Sequence, residues 1–345
     1  MRPFVLLAAI ALGSCATLDD RLSPASPVSQ SATLNVPEQQ AVVHQLADAL
    51  SRMYVEPATG ERYATALRSD GLLSHYAGRL YETTFAERVK ADLQAVAPDA
   101  HLRLLPNSVL QEGHDEGRPS KTGLPDGIEA MRMIGRTAYL QFSAFPHDPR
   151  TAPAARTFLI DHAADANAVI IDGRDLPGGG LEVMDAILPL FFAEPTLLAR
   201  METRAEGDAE SLFQDGPTLQ RRKGRSGFVT RDHVLLPDAA ETGLRTVPLY
   251  YLISGKTASA GEHLAMILQR TGRAKLVGET TRGANHFVAL IPVGDRLTAV
   301  IPVGRTFDPD TGRDWEGTGV TPDIAVPADA ALDRTLAVIA EAGQP

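Results

Sequence analysis

Cysteine is almost missing from this chain: Cys15 is the only one in 345 residues. A disulfide within the mature chain is therefore excluded, and with it the class of small folds stapled by cystines. Positive charge is in deficit, with 33 Lys and Arg against 43 Asp and Glu and a net charge of -10. That balance argues against nucleic acid as a partner, because phosphate binding needs clustered cations. The basic cluster RRKGR at 221–225 lies in a polar stretch and reads as a solvated loop. Three signatures are also lacking. No Gly-Lys-Ser/Thr follows the glycine run GGG at 178–180, which argues against a phosphate loop, and no H-E-x-x-H is present, which argues against the common zinc-hydrolase site. The G-x-S-x-G nucleophile elbow is absent as well, since Thr257 and Gly261 flank Ser259. No internal repeat is visible, and neither a metal nor an organic cofactor is expected.

What is there is ordinary globular material, 44% apolar and 22% charged, in a chain long enough for a sizeable core and two domains. The opening MRPFVLLAAIALGSCATLDD reads as an export signal. Arg2 supplies the positive end, and Phe4 to Leu12 form an apolar run too short to span a bilayer. Cys15 follows Leu12-Gly13-Ser14, which resembles a bacterial lipobox. The expectation is a periplasmic protein of the cell envelope, lipid-anchored at Cys15; cleavage after Ala16 would instead leave it soluble. The divisions that follow are 1–16 signal and lipobox, 17–37 flexible tether, 38–106 helical N-terminal domain, 107–126 linker and 127–345 α/β domain.

Within 38–106, AVVHQLADALSRMY, RYATALRSDGLL and ETTFAERVKADLQAV carry apolar residues at helical spacing and read as three helices. The short extended piece PDAHLRLLP follows. From Gly127 the pattern alternates: IEAMRMI and TAYLQF around Gly135 read as a hairpin. PAARTFLIDHAA is helical, NAVIIDG is a buried strand, GRDLPGGG is a turn, and LEVMDAILPLFF is helical again. Strands and helices in this order imply crossover units on a mostly parallel sheet. Residues 199–240 look polar and irregular, an insertion with edge hairpins. PLYYLIS is the next central strand, AKLVGE and RLTAVIP are further strands, and LDRTLAVIAEA is a closing helix.

PLYYLIS leads into SGKTASAGEHLAMIL, where small residues crowd around Ser259. Ser259 and Glu262 fit the S-x-x-E capping box, so a helix cap is one reading of the serine. A nucleophile is the other. The loops after both central strands lie at the carboxyl ends of a parallel sheet, where such folds bind ligands. A serine at a helix N-terminus faces free N–H groups and a positive dipole end, which favour the oxyanion of acyl transfer. Gly178, Gly179 and Gly180 let further amides approach the same place.

Three ordered segments resemble a known family. KTASAGEHLAMILQRTGRAKLVGETTRGA is similar to the nucleophile segment of the C-terminal-processing (tail-specific) serine peptidases and their relatives. VIIDGRDLPGGGLEV resembles their Asp-Leu-Arg-x-Asn-x-Gly-Gly segment, with Gly173 and Leu176 in place of the usual Leu and Asn. DWEGTGVTPDIAVP resembles their closing Gly-Val-x-Pro-Asp segment, and the helical start with DAHLRL is similar to the branch holding interphotoreceptor retinoid-binding protein repeats and the tricorn core. The likeness runs from about residue 40 to 330. It implies an α/β fold, a crotonase-like ββα superhelix core with a mixed or parallel sheet, plus a small N-terminal helical domain.

The resemblance also implies an activity: an exported serine-type peptidase that hydrolyses peptide bonds in a peptide or protein substrate without a cofactor. Tail-specific members use a Ser–Lys dyad, but Ala284 stands at the Lys register. The stretch from His101 to Gly127 is also too short for their PDZ module. The tricorn-like branch implies Ser259 as nucleophile, His101 as base and Glu316 as the orienting acid, with the amides of Ala260 and of Gly178 or Gly179 as oxyanion hole. Ala100 stands where that branch has a supporting Ser. His286 is a rival base and His263 a weaker one. An unperturbed imidazole would give activity rising through roughly pH 6 to 7. The alternatives are a noncatalytic envelope binding module for an apolar, lipid-like or retinoid-like ligand, and a scaffold that holds a partner in the same cleft.

Overall fold

The computed structural model describes residues 32–112, 123–238 and 243–342. The export signal, Cys15 and most of the tether lie outside them, as does part of the 107–126 linker. Among the described residues no helix is long and apolar enough to cross a membrane.

The chain opens with β1 (Thr33–Leu34) and α1 (Val36–Met53), a helix started by Asn35, whose side chain accepts from Glu38 N while Glu38 accepts from Asn35 N. Its buried stripe, Val42, Val43, Leu46, Leu50 and Met53, has the spacing read from the sequence. There follow α2 (Pro57–Leu67), α3 (Asp70–Leu73), β2 (Leu80–Tyr81), α4 (Glu82–Val96), β3 (Arg103–Pro106) and α5 (Asn107–Glu112). The hairpin around Gly135 is β4 (Ile128–Ile134) and β5 (Thr137–Phe142), followed by α6 (Thr151–Asp161), β6 (Ala168–Asp172) and α7 (Glu182–Ile187). Pro189 lacks the N–H that would continue α7, and the chain tightens into a 3₁₀ turn at Leu188–Leu190.

Next come β7 (Thr196–Arg204), β8 (Leu219–Arg222), β9 (Phe228–Leu235), β10 (Leu249–Ile253), α8 (Ala260–Arg270), β11 (Ala274–Gly278), β12 (Phe287–Val293), β13 (Leu297–Phe307), β14 (Ile324–Ala325) and α9 (Ala331–Ala342). One six-stranded sheet has the order β14-β11-β10-β6-β5-β4 and is parallel except at β4–β5. A second follows the order β12-β13-β7-β9-β8, with β3 also on β13, and every pair in it is antiparallel. The fold is mixed α/β with an N-terminal helical region.

The second sheet is a finding that residues 199–240 hid. Its strands carry Arg200, Glu202, Arg231 and Asp232, which pair with opposite charges: Arg200 with Asp232 at 2.8 Å, and fully buried Arg231 with Asp208 and Asp215. Charges paired across a half-buried sheet erase the apolar alternation that marks strands.

Every residue of β6 and β10 is buried, as expected of central parallel strands covered on both faces. Val169, Ile171, Leu249, Tyr251 and Ile253 point to the main core, which also takes Leu264, Ile267 and Leu268 of α8 and the apolar faces of α1 and α4. Ala168, Ile170, Tyr250 and Leu252 face the other way, under α9. Each fully buried aliphatic side chain of α8 contributes roughly 1.5–3 kcal/mol, so packing rather than propensity holds this helix in register behind Ser259.

Candidate active site

Two strand-to-helix loops meet at Ser259. The loop leaving β10 is stitched to the loop leaving β6: Thr257 Oγ1 donates to Gly173 O at 2.7 Å, Ser254 Oγ to Arg174 O at 2.5 Å, and Ala258 N to Leu176 O at 3.0 Å. At the corner Ser259 has φ 50° and ψ −119°, the only positive φ of a non-glycine residue among those described. A side chain resists that region, so the surrounding bonds impose it. Most of them come from Glu262. Its Oε2 accepts from Ser259 N at 2.9 Å and Ala284 N at 2.8 Å, and its Oε1 from Thr281 Oγ1 and Gly283 N, both at 2.6 Å. Burial raises the Glu262 pKa, and those four donors pull against the rise. The capping box thus pairs Ser259 with Glu262, as the S-x-x-E spacing implies.

Gly178 and Gly179 lie directly against this corner. Both have positive φ, 128° and 138°, and a Cβ at Gly178 would come within 2.8 Å of Ser259 Cβ. Phe145 anchors the run: its N donates to Gly178 O at 2.9 Å and its O accepts from Gly180 N at 2.8 Å. The N–H groups of Gly178, Gly179 and Ala260 have no hydrogen-bond partner among the described residues. A cavity of about 20 Å³ opens beside them, touched by Ser259, Ala260, Gly179 and His263 and walled by apolar side chains together with Asn285 and Thr306.

A second cluster centres on Asp99, which the sequence reading passed over although it lies two residues before His101. Its Oδ1 accepts from His101 N at 2.8 Å, and its Oδ2 from Tyr54 OH at 2.8 Å and His286 Nδ1 at 2.9 Å. Burial would raise its pKa, but the hydrogen bond and charge of His286 outweigh that and hold it at about 2. Burial also drives the His101 pKa down to about 4, against the pull of Asp99. Nδ1 of His101 is buried without a hydrogen-bond partner among the described residues. For His286 the balance reverses: burial lowers its pKa, but Asp99, then Glu316 and Asp314, raise it overall. Glu316 accepts from Asn285 N at 2.6 Å and His286 N at 3.2 Å, and its carboxylate lies 3.8 Å from His286 Nδ1. The structure therefore brings Glu316 to His286, and no hydrogen bond joins it to His101 among the described residues. Asp99, His286 and Glu316 each offer a possible ligand atom within 4.8 Å of the others. The bonds just described already occupy those atoms.

Ala284, at the register of the tail-specific Lys, is buried, and its carbonyl accepts from Ser259 N at 3.1 Å. His263 is buried on α8, where its Nε2 meets His233 Nδ1 at 3.0 Å.

Residues 136–326, more than half of the chain, match the model of peptidase family S41. The chain belongs to that family. Among its S41 relatives, a carboxyl-terminal-processing protease of Picosynechococcus sp. is 36% identical over 164 residues, 48% of this chain and 33% of that protein. The solved photosystem II D1 C-terminal processing protease superposes with a TM-score of 0.56 at 14% identity, covering 85% of this chain and 94% of the other. A lipoprotein from Streptococcus agalactiae gives 0.59 at 13%, covering 88% and 97%. At such identities these likenesses concern the fold. The chain spans 26%, 33% and 40% of the length of three curated relatives that it matches.

Proposed function

We propose that the chain is an exported serine peptidase that cleaves peptide bonds in peptides or exposed protein ends with Ser259 as nucleophile. The observation that carries this reading is the Ser259 corner: a serine at φ 50° beside three amides that have no hydrogen-bond partner among the described residues. A base takes the Oγ proton as the oxygen attacks the scissile carbonyl. The N–H groups of Ala260 and of Gly178 or Gly179 stabilise the oxyanion, and the protonated base then gives its proton to the leaving amine. We assign the base to His101, with Glu316 as the acid of the constellation, on their places in DAHLRL and DWEGTG. At a pKa of about 4, His101 is neutral and able to accept a proton across the physiological range.

A second reading of the base has its own support. His286 carries a carboxylate on Nδ1, the arrangement that leaves Nε2 with the lone pair a general base needs. Lipid attachment at Cys15 completes the proposal, and intact-mass analysis of the membrane fraction should find an acylated Cys15. A soluble mature form beginning at Thr17 would overturn the anchor alone.

The decisive test is a fluorophosphonate probe on the purified protein. Labelling should fall on Ser259, and Ser259→Ala should lose both labelling and turnover, by on the order of 10⁶ in kcat. Labelling that persists in Ser259→Ala would return Ser259 to helix capping. Tight binding of an apolar ligand with no labelling would favour the binding-module alternative.

A further inference from the structure

The glycine loop beside Ser259 is held by little backbone. Phe145 N donates to Gly178 O and Gly180 N to Phe145 O, and these two bonds flank Gly179, which forms an isolated parallel bridge with Phe145. No further backbone hydrogen bond joins residues 146–148 to 180–182 among the described residues.

A side-chain pair stands where that short ladder stops. His147, two residues past Phe145, and Glu182, two residues past Gly180, meet at 2.8 Å between Nδ1 and Oε1. Both lie against Gly180: a Cβ there would come within 3.0 Å of His147 Cε1 and would overlap the Glu182 carboxylate. The pair therefore fills the space of the side chain that Gly180 lacks, and it ties the strand that carries Phe145 to the far end of the loop.

The hydrogen bond to Glu182 raises the His147 pKa against the lowering effect of burial. Burial would raise the Glu182 pKa, but the bond to His147 and the adjacent backbone N–H groups lower it overall. Each partner thus favours the charged form of the other. Asp148, next in sequence, pairs with Arg150 at 2.7 Å and leaves the imidazole to Glu182. The His147 side chain is 29% exposed and that of Glu182 55%. Ion pairs so exposed contribute little to global stability, so the effect of this one is local to the loop it grips.

Resting on the reading of Ser259 as nucleophile and of the glycine amides as its oxyanion hole, we propose that His147 and Glu182 are positioning residues that brace the oxyanion loop. They act through Gly180 on the aim of the Gly178 and Gly179 N–H groups. The oxyanion exists only in the transition state, so a loop that drifts lowers kcat and leaves KM in place.

The test uses a peptide first found to be cleaved in a library, together with the aldehyde of its sequence up to the cut, whose adduct with Ser259 places an oxygen at the oxyanion position. His147→Ala and Glu182→Ala should each lose roughly tenfold to a hundredfold in kcat with KM unchanged. The aldehyde should bind more weakly by the same factor, while the melting temperature stays near that of the wild type. The double variant should be no worse than either single one, because the two side chains act as a unit. His147→Asn, whose amide can donate in place of Nδ1, should recover most of the loss. His147→Phe keeps a ring and drops the hydrogen bond, so it should show the same loss if an alanine variant fails to fold. Single variants with native kcat, or losses that multiply in the double variant, overturn the brace and leave the nucleophile standing. A raised KM with native kcat does the same, because it puts the pair on the substrate itself. A wild-type protein that takes no fluorophosphonate on Ser259 and cleaves nothing in the library overturns the nucleophile and the brace together.

Discussion

His101 and His286 share one carboxylate, Asp99, yet their surroundings push their proton affinities in opposite directions. This separates the two candidate bases. With His101 as base, the acid limb of kcat/KM lies near pH 4 and activity is level from about pH 5.5 upward. With His286 it lies above 6.5, because that imidazole must lose a proton held by Asp99 and Glu316. His101→Ala should lose several orders of magnitude in kcat and His286→Ala should keep most of it; the reverse outcome moves the base to His286. The same shifts act on stability. The His101 pKa is depressed on folding, so its contribution is complete above 6.5 and is lost as pH falls towards about 4. His286, raised on folding, acts oppositely, contributing below 6.5 and losing that contribution as pH rises. Denaturant unfolding at pH 7 and pH 5 should show His101→Gln spared a loss on the order of 2 kcal/mol that the wild type suffers. Sequence alone singled out the serine and both histidines as candidates. It could not supply Asp99 or the sign of either shift, because those depend on what burial places around each ring.

The α8 corner was legible as an element, through small residues, S-x-x-E and an apolar helical run, but not in its conformation. The missing G-x-S-x-G pattern pointed away from a strained elbow, yet the backbone is strained at Ser259 because Glu262 gathers four donors under it. Glu262→Gln can satisfy at most two of them and turns an NH₂ towards the others. Unfolding free energy should fall by roughly 2–4 kcal/mol, measured by denaturant titration, with kcat falling too as Ser259 loses its anchor. Gly178→Ala tests the other half of the corner. Its Cβ would press on Ser259 Cβ at 2.8 Å from a backbone at φ 128°, so kcat should drop sharply while circular dichroism stays native. Unchanged turnover would remove the glycine loop from the proposed oxyanion site.

Across the whole molecule, the helical segment and the sheets share more than a boundary at residue 127 suggests. β3 pairs with β13, Val55 N donates to Pro302 O, and α1 and α4 bury their apolar faces in the same core as α8. Periodicity showed the helices and the parallel strands, since those signals are local. Of the antiparallel sheet only RLTAVIP and edge hairpins were legible, because paired charges interrupt the apolar alternation of β7 and β9. Residues 127–345 expressed alone should therefore expose that apolar face, bind a hydrophobic dye and unfold without a sharp transition. A cooperative two-state melt of the fragment would show that the helices are dispensable to folding.

With Ser259 as the proposed nucleophile, its twisted corner sets catalysis against durability. The residue that fits φ 50° best is glycine, which adopts such angles with no side-chain penalty. Ser259→Gly should therefore be inert towards substrate and yet outlast the native chain on heating, with a melting temperature a few degrees higher. A more heat-resistant dead variant would mean that the wild-type fold keeps this serine under permanent mechanical tension.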